Sequence, residues 1–240
     1  MTKLSVNINK IATLRNARGE NNPDVLKMAL LIEDCGADGI TVHPRPDERH
    51  IKRSDVFRLK QHLRTEFNVE GYPSADFIAF MQEIRPHQIT LVPDLPSALT
   101  SNAGFKLKDD FGFLQDAIKK LEPCASCISI FIDPMDFLNR DVAPIKNTGA
   151  DRIELYTKAY ADFPTCQETL GRYVDLAKRV SDLGMGVNAG HDLSLENLAP
   201  LLKAIPNIAE VSIGHALICD ALVFGLKETV GRYLSLAHGI

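Results

Sequence analysis

Eight short runs rich in β-branched residues recur along this 240-residue chain, and nearly all of them end on a polar or ionisable side chain. They read LSVNIN, GITVH, FNVEG, QITLVP, CISIFID, RIELY, MGVNAGH and EVSIGH. Strand alternating with helix predicts a parallel sheet, because parallel neighbours need a crossover connection and a helix usually supplies it. Eight such units are the number that closes an α/β fold of the (β/α)8 TIM-barrel kind, typically about 250 residues long. The expected organisation is one catalytic domain over residues 1–240, with no linker and no repeat beyond the strand–helix unit. In that fold the strand C-termini converge on one face. Asn7, Asn9, His43, Glu70, Asp133, Glu154, His191 and His215, remote in sequence, therefore become candidates for a single site.

Composition narrows the partners. Apolar residues at 45% suffice for a packed core, and the net charge of −4 comes with no Lys/Arg block, which excludes a nucleic-acid surface. No run approaches the ~20 apolar residues of a membrane span, and MTKLSVNINK has no stretch of signal-peptide character, so the expected compartment is the cytoplasm and no membrane partner is expected. Five cysteines with no framework spacing suit reduced thiols. Cys124-Ala-Ser-Cys127 lacks a second ligand pair and leads into a strand, so no zinc or redox role is expected of it.

Local signals place the connections. Thr13 to Asn22 reads as a polar loop, and Pro23-Asp24 opens a helix with Val25, Met28, Ala29 and Ile32 on its apolar face. Pro73-Ser74 opens another that ends before Pro86. The connection from Asp94 to Lys106 is long enough to suggest a functional segment. Thr157 to Thr165 reads as a loop, and the eighth strand leads directly into a last helix.

Two kinds of chemistry stand out. Gly190-His191 and Gly214-His215 end the last two strands, where barrel enzymes frequently bind phosphate with backbone N–H groups. Lys10, Arg15 and Arg18 follow the first strand, and Arg45, Arg49 and His50 the second; guanidinium forks suit phosphate oxygens. Two anion clusters imply one bisphosphate or two phosphorylated small molecules. Between them, His43, Glu70 and His191 are the usual parts for moving protons. Glu154 either joins that network or pairs with Arg152 or Lys158. His62 and His87 read as peripheral, and His238 lies in the tail. No metal is expected, because Asn7-Ile-Asn9 stands where metal-dependent barrel hydrolases commonly place His-x-His. A Schiff-base aldolase on Lys10 or Lys158, or a non-catalytic binder of phosphorylated metabolites, remains an alternative.

Asn7 through Arg18, Gly39 through His43, Arg45 through His50, Asn188 through His191 and Ile213 through His215 together resemble the pyridoxine 5′-phosphate synthase family, from the first strand to the last helix. The resemblance implies a barrel with extra helices, a homo-octamer, and no metal or organic cofactor. It implies condensation of 3-amino-2-oxopropyl phosphate with 1-deoxy-D-xylulose 5-phosphate to pyridoxine 5′-phosphate, phosphate and water. It places His43 and Glu70 on proton acceptors and His191 on a proton donor. Asn7, Arg18, Gly214 and His215 fall on positions for the aminoketone phosphate; Arg45, His50 and Thr100 fall on those for the deoxyxylulose phosphate. This chain departs at Asn9-Lys10, where the family often has Asp-His; hydrogen bonding and phosphate pairing are what these two residues retain. It departs again at Asp192, where some members have Gly, leaving its backbone N–H as the expected anion donor. Gly-Tyr-Pro follows Glu70 in place of Met-Ala-Val, and Tyr156 stands where some members have His.

Overall fold

A computed structural model describes residues 1–94 and 103–239. Its eight strands are β1 (Lys3–Asn7), β2 (Gly39–Val42), β3 (Glu66–Gly71), β4 (Gln88–Leu91), β5 (Cys127–Ile132), β6 (Arg152–Tyr156), β7 (Gly186–Gly190) and β8 (Ile208–Ile213). They form a closed barrel in chain order, and the seam pairs β1 with β8 in parallel, Ser5 opposite Ser212. The expected TIM barrel is therefore the observed one. Around it run α1 (Asn9–Arg18), α2 (Val25–Asp34), α3 (Arg53–His62), α4 (Ala75–Ile84), α5 (Leu107–Leu121), α6 (Ala143–Asn147), α7 (Lys158–Asp162), α8 (Gln167–Asp182), α9 (Leu198–Ala204), α10 (His215–Phe224) and α11 (Leu226–His238). Among the described residues no helix is long and apolar enough to cross a membrane.

The apolar core lies between the barrel and these helices, not inside the barrel. Alternate strand residues such as Val6, Val42, Val69, Ile130, Leu155 and Ile213 are buried in that outer layer. The other set faces the lumen and is mostly polar; Phe131 and Tyr156, with Val92, form a small separate apolar cluster on that side. Ser5 and Thr41 share a hydrogen bond of 2.6 Å, and Thr90 donates to Asn68 at 3.1 Å. Gln88 on β4 donates to Glu210 on β8 at 2.9 Å, and Asn188 on β7 donates to Gln88 at 3.2 Å; strands so far apart in the barrel order meet only across the lumen. Arg152 adds bonds to Gln88 and Asn188. Barrel interiors are usually filled by branched apolar side chains. Here a connected polar network occupies much of that space, and the hydrogen bonds within it offset part of the cost of burial. The strands announce this by their period of two: L-S-V-N, I-T-V-H, F-N-V-E and R-I-E-L-Y alternate throughout.

Three connections differ from the sequence expectation. Much of the polar stretch after β1 is α1, which runs to Arg18 and ends on Gly19 at φ 80°, the left-handed turn that glycine adopts at little cost. The apolar stripe of α1 is hard to see because one of its three buried positions is Arg15, which is 2.5 Å from the Asp55 carboxylate. α7 occupies part of the segment read as a loop after β6, anchored by Tyr160, whose hydroxyl donates to the Asn197 carbonyl at 2.6 Å. The C-terminus is two helices, divided at Gly225 with φ 81°. Cys127 is committed to the lumen: its thiol reaches Gln88 at 3.4 Å, and burial pushes it up to about 12, so the C-x-x-C pair is not a reactive dithiol.

Candidate active site

The C-terminal ends of β1, β2 and β3 assemble the first half of the site. Asn7, the last residue of β1, accepts the Asn9 N–H on its Oδ1 at 3.1 Å and holds its amide nitrogen 3.5 Å from Glu70 Oε2. Asn9 in turn accepts the His43 N–H at 2.9 Å. Its side chain therefore braces the end of β2 against β1, a positioning task that needs an amide or carboxylate oxygen and no basicity. His43 Nδ1 lies 3.6 Å from Glu70 Oε2, with 7% of the histidine and 13% of the glutamate side chain exposed.

Burial sets the protonation of this pair. It pushes the Glu70 carboxyl up to about 8, helped by the charge of Asp94 and opposed by Arg45 and by the Asn7 hydrogen bond. The same burial holds His43 well below the usual imidazole range, with Arg45, His50 and Arg49 adding to the effect. His50, 6.5 Å from His43 between ring centres, is brought down to about 4, first by burial and then by Arg45 and Arg49. At neutral pH both rings are thus neutral and Glu70 carries a proton, an arrangement suited to proton exchange in either direction.

The fixed cation here is Arg45. Its Nη2 donates to Asp94 at 2.7 Å, with both side chains almost wholly enclosed, while its Nη1 is buried with no hydrogen-bond partner among the described residues. A cavity of about 270 Å³ beside it is lined by His43, Arg45, Gly71, Tyr72, Phe77 and Asp94. Asp94 was not singled out from the sequence, although it follows β4 as the other candidates follow their strands. Arg15 leaves the expected phosphate cluster, because its guanidinium serves Asp55 and the His50 carbonyl. Arg49 pairs with Asp47 at 2.7 Å. Lys10 is exposed in the first turn of α1, near enough for its charge to act on His50; Arg18 is exposed at the far end of the same helix. Thr100 lies outside the described residues.

Glu154 continues the acidic column into the barrel. It pairs with neither Arg152 nor Lys158; among the described residues its Oε2 is buried without a hydrogen-bond partner, and burial, with the charges of Glu70 and Glu210, raises it well above the carboxylate range. Gly190 exists to admit it: a Cβ there would sit 2.1 Å from Glu154 Oε1. That accounts for the first Gly-His without an anion. His191 and Asp192 follow with φ of 77° and 50°, and His191 Nδ1 is 2.7 Å from Asp192 Oδ2. Tyr156 meets the His191 ring edge-on at 5.1 Å. Gly214 packs against Asn7, where a Cβ would be 3.0 Å from the Asn7 Cβ, and precedes the first turn of α10, which carries the exposed His215. Asp133 is a helix cap: it accepts the Met135 N–H at 2.9 Å. Among the described residues no group of three His, Cys, Asp or Glu side chains is arranged to hold a metal ion.

Comparison with known proteins fits this geometry. Over residues 4–239 the chain matches the family described as Pyridoxal phosphate biosynthesis protein PdxJ. A pyridoxine 5′-phosphate synthase of Parabacteroides distasonis is 54% identical over 235 residues, covering 97% of this chain and 98% of that one. Another, from Cytophaga hutchinsonii, is 52% identical over 236 residues and 98% of each chain. Among solved structures, a mutant tryptophan synthase alpha-subunit from Pyrococcus furiosus superposes with a TM-score of 0.62 at 16% identity, covering 100% of this chain and 98% of that one. Phosphoribosyl anthranilate isomerase does so at 0.61 and 11%, covering both chains fully. These two share the barrel alone. A match that runs from β1 to α11 and includes the strand ends that build the site decides the family: the chain belongs to the PdxJ pyridoxal phosphate biosynthesis proteins.

Proposed function

We propose that this chain is a pyridoxine 5′-phosphate synthase, joining 3-amino-2-oxopropyl phosphate to 1-deoxy-D-xylulose 5-phosphate with release of phosphate and water. The observation that carries the reading is Glu70: a carboxyl pushed up to about 8, set between Asn7 and the neutral ring of His43 at the mouth of a polar barrel. The amine of one substrate attacks the ketone of the other, so the imine forms between substrates and no enzyme lysine takes part. Glu70 and His43 then remove protons from carbon and oxygen, and His191 donates one to a departing oxygen. Held together in one site, the two substrates react as if intramolecularly. Arg45, whose Nη1 has no partner among the described residues, takes the deoxyxylulose phosphate together with His50 and Thr100. Asn7, Gly214 and His215, at the β8–β1 seam, and Arg18 take the aminoketone phosphate.

A Schiff-base mechanism is less favoured. Lys158 ion-pairs with Asp162, and that hydrogen bond raises it above its ordinary range, whereas an amine nucleophile needs the opposite shift. The deciding experiment incubates purified protein with both phosphorylated substrates and excess chelator, and follows pyridoxine 5′-phosphate and inorganic phosphate together. Matched formation of the two is expected; folded protein that binds either phosphate and yields no product would sink the reading. We further place the enzyme in the cytoplasm as a homo-octamer. Supporting association are Leu222 and Val223 at the end of α10, 79% and 76% exposed, an apolar patch that a neighbouring subunit would cover. Light scattering should return about eight times the 26.5 kDa chain mass, and a monomer mass would exclude the assembly.

A further inference from the structure

Asp192 is where this chain puts a carboxylate beside its proposed proton donor, and an anion there sits poorly with a role in holding phosphate. Its side chain has another partner. We infer that Asp192 is a positioning residue whose carboxylate accepts the Nδ1–H of His191 and thereby assigns proton donation to Nε2. The inference rests on the synthase reading above for its consequence, but the contact itself does not.

Neighbouring side chains on an extended strand point to opposite faces. Here two consecutive non-glycine residues take the left-handed conformation, φ 77° and 50°, and their side chains meet at 2.7 Å. Each such residue costs about 1–3 kcal/mol unless its surroundings fix it. They do: Thr157 donates to the Gly190 and His191 carbonyls, and Asn197 donates to the Asp192 carbonyl at 3.0 Å while accepting the Ser194 N–H at 2.8 Å. The turn is therefore built to hold the dyad. Tyr156 and Glu154 on β6, Lys158 at the start of α7 and His215 at the start of α10 are the titratable groups around it. The His191 hydrogen bond is the largest influence on Asp192 and keeps its carboxyl below the usual range against the effect of burial; Lys158 and His215 act in the same direction.

A carboxylate on Nδ1 stabilises the imidazolium and selects the tautomer left behind. In the donating step the Nε2–H bond breaks and an O–H bond forms on the departing substrate oxygen. The electron pair stays on Nε2, and the neutral ring keeps its Nδ1–H on Asp192. Without the carboxylate, the ring is free to hold its proton on the wrong nitrogen.

The test compares Asp192→Asn, Asp192→Gly and Asp192→Glu. Asn and Gly should lower kcat at least about 10-fold with KM for both phosphates within about 2-fold, and Glu should recover most of the loss. A second readout needs no turnover: carbethoxylation of His191 by diethylpyrocarbonate, mapped by mass spectrometry, with exposed His62 on α3 as internal control. The reagent attacks a ring nitrogen that carries no proton, and Asp192 covers Nδ1 at 2.7 Å, so uncovering that nitrogen in Asp192→Gly should make His191 react about 3-fold faster or more, with His62 unchanged. Unchanged kcat in both Asn and Gly, an effect confined to KM, or an unaltered His191 rate would each overturn the inference. A wild-type protein without synthase turnover would instead overturn the functional reading, and the modification rates would still decide whether Asp192 holds His191.

Discussion

Glu70→Gln is expected to lower kcat by about 10²–10⁴-fold, the range associated with losing a general acid–base group, while the protein stays folded. The second half of that statement follows from the same burial that makes Glu70 reactive. With its carboxyl pushed up to about 8, Glu70 is already neutral at pH 7, so a neutral amide of the same shape removes no buried charge and leaves no partner stranded. The pH profile gives the sign. A base works only when deprotonated, so kcat/KM of the wild type should rise as pH rises through about 8, and this limb should be missing from the residual activity of the variant. Unchanged melting temperature with lost turnover is the expected pair of results. Turnover within a few-fold of wild type would remove Glu70 from the chemistry.

The second large effect is structural. Arg15 and Asp55 are each 5% exposed at the side chain, 2.5 Å apart, and tie α1 to α3. Asp55 also accepts the Lys52 N–H at 2.9 Å, and Arg15 also donates to the His50 carbonyl at 3.0 Å. Removing one member leaves the other charged and enclosed, which costs about 3–5 kcal/mol. At roughly 2–4 °C per kcal/mol for a chain of this size, Asp55→Ala should lower the melting temperature by about 10 °C. Arg15→Met with Asp55→Leu should restore much of it, because the apolar pair strands no charge. These measurements also separate the observed role of Arg15 from the one its position suggested. A phosphate ligand replaced by Met would raise KM and leave the melting temperature alone.

Arg15 shows why the cation-rich loops were only partly readable. Sequence gives the charge and the strand it follows, whereas burial decides whether that charge faces a substrate or a carboxylate from another helix. Arg45, Arg49 and Arg15 look alike in sequence; the fold gives one to Asp94 at a cavity wall, one to neighbouring Asp47, and one to Asp55 forty residues away. The strand-end acids and bases were more legible. His43, Glu70 and Glu154 fall where a period of two gives way to a loop, and a parallel barrel must bring such ends together. Asp94 meets the same criterion, following β4, but in sequence it reads as the start of the long connection, and only the fold shows it paired with Arg45.

By itself, then, the sequence determined the barrel and the set of strand ends that meet at its mouth, because strand–helix alternation repeated eight times and side-chain period are local properties of the chain. It also carried, in that same period, a polar lumen that is plain once the strands are in register. Only the tertiary structure decided the protonation of those ends and their partners. Glu70 and His43 are shifted in opposite directions by one shared cause, exclusion of water, which no local pattern records. Gln88 meets Glu210 across 122 residues, and Gly190 is small because Glu154 needs the space. Long-range packing sets both the dielectric around a group and the atom beside it, and those two quantities turn a list of acids and bases into a site.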